Sequence, residues 1–271
     1  MEIKKLTPWF IIAALFLAAG GFLSSCQKTN TGVSGINRPV VEAYLVPGTK
    51  TLVRVYYQKY LDDTITYGYP IPGLKLSISD GTNTVQLAET TPGNYSWNDT
   101  TFVKFKKTYS LNFIYQGNTI SAQTTVPDRP TGFRASDTLQ LVTFRGAGIT
   151  PTNIFTPVVF SWDNSAAWLY LIAFKDVSAV QYPLSSNSRP YHDSEVLLGQ
   201  TATYQTQPFS FTYTGNYKVL LFHINQEYSD AITSSGGSSL SLTNPSTNVV
   251  NGLGIFTSMS ADTLNLDVKL H

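Results

Sequence analysis

The chain has 271 residues, 18 of them basic and 17 acidic, and only 13 % are charged, about half the ~25 % usual for soluble domains. Thirty-three Thr, twenty-six Ser and sixteen Tyr supply the polarity instead, a balance that suits β-strands and argues against a helical bundle. The even charge argues against nucleic-acid binding, and a single Cys excludes an internal disulfide framework and a Cys-based zinc site.

The chain opens with Lys4 and Lys5, then an apolar run from Trp9 to Ala19 that extends to Leu23. It is too short for the ~20 residues of a membrane-spanning helix and reads as a signal peptide over residues 1–25. It ends in Leu23-Ser24-Ser25-Cys26, which resembles the bacterial lipobox, where the Cys is diacylated and becomes the mature N-terminus. Cys26 is therefore the expected lipidation site. Acyl chains contribute ~0.8 kcal/mol per buried CH₂, so lipid anchors such a chain without its spanning the bilayer. The mature chain keeps sixteen basic and sixteen acidic residues, so no electrostatic steering is expected. Residues 26–37 are polar and rich in Gly, Ser and Thr, the composition of a flexible tether. No acidic cluster of the kind that resembles a surface-export signal follows Cys26, which leaves the membrane face open.

Strand patterning begins at Val40. Leu74, Leu76 and Ile78 alternate with polar residues, Asp80-Gly81 marks a turn, and Val85 and Leu87 resume. Tyr109, Leu111, Phe113 and Tyr115 share one face, and Gln116-Gly117-Asn118 turns the chain into Ile120, Ala122, Thr124 and Val126. With strands near 40–46, 51–57 and 93–97, about seven short strands fill residues 38–127, the spacing of a β-sandwich. In the strand near 51–57 the parity predicts Val53, Val55 and Tyr57 facing the core, with Arg54 and Tyr56 outside. Pro127-Asp128-Arg129-Pro130 opens a stiff linker, residues 128–135.

A second sandwich is predicted over residues 136–271. Val158, Phe160 and Trp162 alternate, as do Trp168, Tyr170, Ile172 and Phe174. Around Tyr217–Phe222 both faces are apolar, as in a central strand covered on both sides. Leu264, Leu266, Val268 and Leu270 form the last strand. No window shows a helical period, and residues 176–200 and 230–250 read as long loops. The expected fold class is thus all-β, two tandem antiparallel sandwiches after a signal peptide and tether.

Residues with chemical potential are few. Tyr191-His192-Asp193-Ser194-Glu195 has no second His at ligand spacing and reads as a solvated loop. His223 shares parity with core positions and reads as a core-edge histidine with a backbone partner. Asp62-Asp63 lacks a calcium-loop pattern. No Gly-x-Ser-x-Gly elbow appears, and Gly252-Leu253-Gly254 reads as a backbone feature, one of its Gly holding a conformation or contact that Cβ disfavours. No catalytic residue, metal site or cofactor is expected. Asp63-Thr64-Ile65, Asp137-Thr138-Leu139 and Asp262-Thr263-Leu264 resemble a short O-glycan acceptor tripeptide. Tyr56, Tyr57, Tyr60, Tyr67 and Tyr69 crowd into fourteen residues. Of these, Tyr60, Tyr67 and Tyr69 fall on a loop and are the candidate binding residues, because Tyr offers a rigid amphipathic surface.

Phe160-Ser161-Trp162-Asp163, Tyr170 and Gly215-Asn216-Tyr217-Lys218-Val219 resemble strands of a fibronectin type III domain. Pro72–Leu76, Gly93-Asn94-Tyr95, Lys107–Leu111, Ala122–Pro127 and Asn248–Phe256 follow the order seen in a family of Bacteroidetes lipoproteins, domain of unknown function 4249, which the chain resembles over residues 36–271. The resemblance implies an outer-membrane lipoprotein, often found beside TonB-dependent transporters, with no assigned catalytic residues. The expected function is a lipid-anchored binding or accessory module, whose partner is a TonB-dependent transporter or a glycan. The alternatives are an envelope glycan-acting enzyme, which needs two carboxylates about 5–10 Å apart in a cleft, and a structural or adhesive stalk.

Overall fold

The computed structural model describes residues 38–59, 64, 67–144, 155–186, 193–235 and 246–271. The chain enters with an antiparallel hairpin, β1 (Pro39–Leu45) and β2 (Thr51–Tyr57). Its alternation buries Val41, Ala43, Leu45, Val53 and Val55, each large side chain contributing about 1.5–3 kcal/mol. Tyr57, expected inside with Val53 and Val55, is 37 % exposed. It is the last residue of β2, opposite the first residue of β1, where the sheet runs past the edge of the core.

Six further strands complete this half: β3 (Ser77–Ser79), β4 (Thr84–Gln86), β5 (Ala88–Thr91), β6 (Asn94–Trp97), β7 (Thr108–Tyr115) and β8 (Asn118–Thr125). β5 and β6 extend the hairpin sheet, while β4-β3-β7-β8 form a separate four-stranded sheet. Val41, Val55, Ile78, Tyr95, Leu111 and Phe113 belong to a single core that both sheets line. Two of its tyrosines keep their hydroxyls paired with backbone: Tyr95 donates to Ile71 O at 2.7 Å and Tyr109 to Phe102 O at 2.8 Å.

The second half comprises β9 (Arg134–Ala135), β10 (Leu139–Val142), β11 (Val159–Ser161), β12 (Leu169–Asp176), β13 (Tyr182–Pro183), β14 (Ser194–Gly199), β15 (Thr203–Gln205), β16 (Tyr213–Ile224), helix α1 (Gln226–Ser235) and β17 (Leu253–Leu270). β15-β11-β9 form a small sheet of their own. The second core joins it to the large sheet through Phe160, Trp162, Tyr170, Phe174, Val219 and Leu266. Aromatic rings dominate, Trp162 lying 5.5 Å from Tyr170 and Phe160 5.8 Å from Phe174. The molecule is therefore all-β in sandwich layers, as its composition implies.

The two cores share one strand. β17, expected only from Leu264, begins at Leu253 and runs for 18 residues, about 60 Å at the usual strand rise. Its first third lies parallel to β1, Val40 opposite Leu253 through Leu45 opposite Ser258. The remainder pairs antiparallel with β16 and, at its end, parallel with β10. One sheet in the order β14-β12-β16-β17-β1-β2-β6-β5 thus runs through both halves, and residues 38–271 make one compact unit. Val249 and Phe256, late in the chain, belong to the first core. The Pro127–Pro130 segment is pinned to β16 and β17. Asp128 O accepts from Ser260 Oγ at 2.6 Å, and Arg129 pairs with Asp262 at 2.9 Å.

Two segments read as loops carry structure. β13 and β14 lie within 176–200, and α1 occupies 226–235. The helix sequence, QEYSDAITSS, has good helix formers in Gln226, Glu227 and Ala231, but four Ser or Asp and three β-branched or aromatic residues weaken it. Its helical state follows from packing: Tyr228 and Ile232, one turn apart, cover Leu171, Ile224 and Met259 on the outer face of the large sheet.

Candidate functional site

The inward alternation of β1 and β2 forces the remaining residues outward. Glu42 and Tyr44 of β1 and Arg54 and Tyr56 of β2 consequently share the outer face of the large sheet. Glu42 stands directly opposite Arg54 in the register, with Arg54 Nη1 3.5 Å from Glu42 Oε2. That carboxylate oxygen is enclosed and makes no hydrogen bond. Beside them is a hollow of about 180 Å³ lined by Glu42, Tyr44, Leu52 and Arg54.

The chain lies along β2 again at residues 69–71. Tyr57 N donates to Tyr69 O at 2.8 Å and Ile71 N to Val55 O at 3.0 Å, so residues 69–71 lie along the strand. Gly68 lets the segment approach this closely, since a Cβ there would run into the Tyr57 carbonyl. The approach places the Tyr67 ring on the sheet face, 5.6 Å from Tyr56 at 69°. The Arg54 guanidinium carbon lies 5.4 Å from the Tyr67 centroid, and Arg54 Nη1 donates to the Tyr67 hydroxyl at 3.4 Å. On the opposite flank Tyr44 meets Tyr228 of α1 edge to face at 5.9 Å.

Burial and the Glu42 charge push Tyr56 up to about 12, and the same two causes raise Tyr44. The phenols stay protonated donors across the neutral range. An ion pair, four rings and several hydroxyls thus share one rigid face, which suits recognition rather than covalent chemistry.

Of the residues nominated from sequence, Cys26 and Tyr60 lie outside the described residues, as do Asp62, Asp63, Tyr191 and His192. Tyr67 is 47 % exposed and Tyr69 69 %. Tyr44, Glu42, Arg54, Tyr56 and Tyr228 were missed as a group. The parity already placed Arg54 and Tyr56 outward, and the same reasoning on β1 would have added Glu42 and Tyr44. His223 is buried, with Nδ1 2.8 Å from Asp128 O, the expected backbone partner. Gly254 has φ +89°. Thr64, Thr138 and Thr263 are exposed. Among the described residues no group of three His, Cys, Asp or Glu side chains converges as a metal site would require.

A family model described as Domain of unknown function (DUF4249) matches residues 35–265. The chain belongs to that family. Among solved structures, this DUF4249 member is similar to the FN1-FN3 domains of chicken CNTN1, with 12 % identity, a TM-score of 0.27, and 70 % of this chain and 61 % of that one covered. It is also similar to a two-domain fibronectin type III segment of chicken tenascin, with 10 % identity, a TM-score of 0.25, and 85 % and 99 % covered. No curated protein matches it.

Proposed function

We propose that the protein is a lipid-anchored outer-membrane binding module, accessory to a TonB-dependent uptake system, and that the Glu42–Arg54–Tyr67 face is where it holds its protein partner. Leu23-Ser24-Ser25-Cys26, following an apolar run of signal-peptide length, supports the anchor. The resemblance to lipoproteins found beside such transporters supports the uptake system. The observation that carries the recognition surface is the half-exposed Arg54 guanidinium, held between the Glu42 carboxylate and the exposed Tyr67 ring. The guanidinium is thereby held beside an aromatic ring before any partner arrives, so binding to it forfeits little side-chain entropy. Tyr and Arg around such a position are the residue types that dominate protein interfaces.

The test is affinity purification of the native lipoprotein from detergent-solubilised envelope. A TonB-dependent transporter should co-purify with the wild type and be depleted with Arg54→Ala/Tyr67→Ala. Equal recovery from both would overturn the assignment of this face. Recovery of no transporter at all would overturn the accessory role.

A further inference from the structure

We infer that the junction between the two cores carries a second binding site, a groove for a neutral pyranose sugar with Trp168 as its stacking platform. The site is independent of the partner face described above.

The groove is shallow and open to solvent, with about 480 Å³ of space, and its lining includes Lys106, Asp128, Trp168, Gln200, His223 and Gln226. That volume lies in the range of small-ligand sites. Trp168 is 39 % exposed, yet it is not a loose surface ring. Its indole lies on the His223 imidazole, centroids 4.6 Å apart at 20°. His223 is only 6 % exposed, and Tyr170 backs it at 5.3 Å. The carbonyl of Asp128 can only accept, so His223 Nδ1 carries the proton, and Nε2 of the neutral ring is left as an acceptor.

The backbone bearing Trp168 is equally fixed. Trp168 N donates to Asn164 Oδ1 at 2.7 Å, and Asn164 Nδ2 donates to the carbonyls of Trp168 at 3.0 Å and Gln200 at 2.9 Å. Ala167, immediately before it, holds φ +54°, a conformation a non-glycine residue adopts only when its surroundings impose it. A partly exposed indole held in this way is preorganised, so binding to it forfeits little side-chain entropy.

The chemistry selects the ligand class. The π face of an indole is electron-rich and complements the weakly positive axial C–H groups on one face of a pyranose. Gln200 and Gln226, both exposed, bring amide donors and acceptors to the rim for ring hydroxyls. Lys106 lies 3.2 Å from Asp128, so the lysine is neutralised, and no other Lys or Arg lines the groove among the described residues. A nucleotide would need a phosphate cradle that this paired lysine does not provide. A quaternary ammonium would need a cage of several rings, and Trp168 and His223 present a single stacked wall.

The full chain, purified in detergent, would be screened against neutral malto-, cello-, xylo- and manno-oligosaccharides with uronic-acid oligosaccharides as charged controls. Trp fluorescence and calorimetry would read the binding. At least one neutral series should bind, at least tenfold more weakly to Trp168→Ala, while Trp168→Phe keeps part of the affinity and the wild-type unfolding midpoint. Gln200→Ala should also weaken binding, which tests the site even if Trp168→Ala fails to fold. Tyr67→Ala should bind sugar like the wild type, which separates this site from the partner face. Absence of neutral-sugar binding, preference for the acidic series, or affinity unchanged by Trp168→Ala and Gln200→Ala would each overturn the inference.

Discussion

Gly254 lies beside Val41 across the parallel β1–β17 pairing, so close that a Cβ on Gly254 would overlap the Val41 carbonyl. Its φ of +89° adds a conformational reason for Gly. This is where the long C-terminal strand joins the first half of the sheet, so the position bears on both cores. Gly254→Ala should lower stability by about 2 kcal/mol or more, the strain of about 1–3 kcal/mol compounded by the clash. Gly48 has a similar φ of +83° but open space around it, so Gly48→Ala should cost less, about 1 kcal/mol. Urea unfolding of the two variants checks the ranking, and equal losses would contradict the role given to the Val41 approach.

Asn225 ties α1 to the strands beneath it. Its Nδ2 donates to Thr125 O at 2.9 Å and Ser258 O at 3.1 Å, while its own carbonyl accepts from Tyr228 N and Ser229 N at 3.2 Å. Glu227 Oε1, in the first helical turn where a negative charge is favoured, accepts from the hydroxyls of Thr124 at 2.7 Å and Thr257 at 3.2 Å. Asn225→Ala leaves those strand carbonyls short of a donor, which costs about 1–3 kcal/mol. The expected result is faster hydrogen exchange in residues 226–235, with β7 unaffected.

His223 should make stability depend on pH. Burial lowers its pKa below the ordinary 6.5, and the hydrogen bond and charge of Asp128 only partly oppose this. Its stacked neighbours, Trp168 and Tyr170, carry no charge at neutral pH, and Lys106 is paired with Asp128. As pH falls below 6.5 the unfolded chain takes up the proton before the folded one does. The contribution is therefore complete above 6.5 and is lost progressively as pH falls through the folded-state pKa. Denaturation at about pH 7.5 and about pH 5.5 should show this loss in the wild type and a smaller one in His223→Gln.

The strands were legible because alternation survives wherever one face meets the core. Val41, Val53 and Val55, or Leu111 and Phe113, declare their side of the sheet without tertiary knowledge. The helix was not legible, because its ten residues are too few to show a helical period, and Glu227, Tyr228 and Ile232 commit it to a surface supplied by distant strands. The parallel entry of β17 was hidden for a related reason. Its buried run from Ile255 to Ser260 includes Thr257, Ser258 and Ser260, polar residues that interrupt the period-two pattern and are paired with groups far away in sequence. The loop tyrosines stood out through their density. The charged pair that completes their face did not, because Glu42 and Arg54 meet only through register.

That register gives the partner face its sharpest test. Arg54 is held between two neighbours, the Glu42 carboxylate at 3.5 Å and the Tyr67 ring at 5.4 Å. In solvent such a cation–π contact contributes about 0.5–1 kcal/mol, and an exposed ion pair a similar amount or less. Tyr67→Ala should therefore change the unfolding free energy by no more than about 1 kcal/mol, and Arg54→Ala, which loses both contacts, by no more than about 2 kcal/mol. At the interface the same side chains would be desolvated, and losing one would cost about 2 kcal/mol or more. Glu42→Gln separates the two states further: it removes the charge that holds Arg54, so the free protein should lose no more than about 1 kcal/mol while partner affinity falls. Parallel measurements of urea midpoint and transporter co-purification would read this divergence. If affinity and stability instead fall together across the three variants, Glu42, Arg54 and Tyr67 brace the β1–β2 hairpin and recognition lies elsewhere on the molecule.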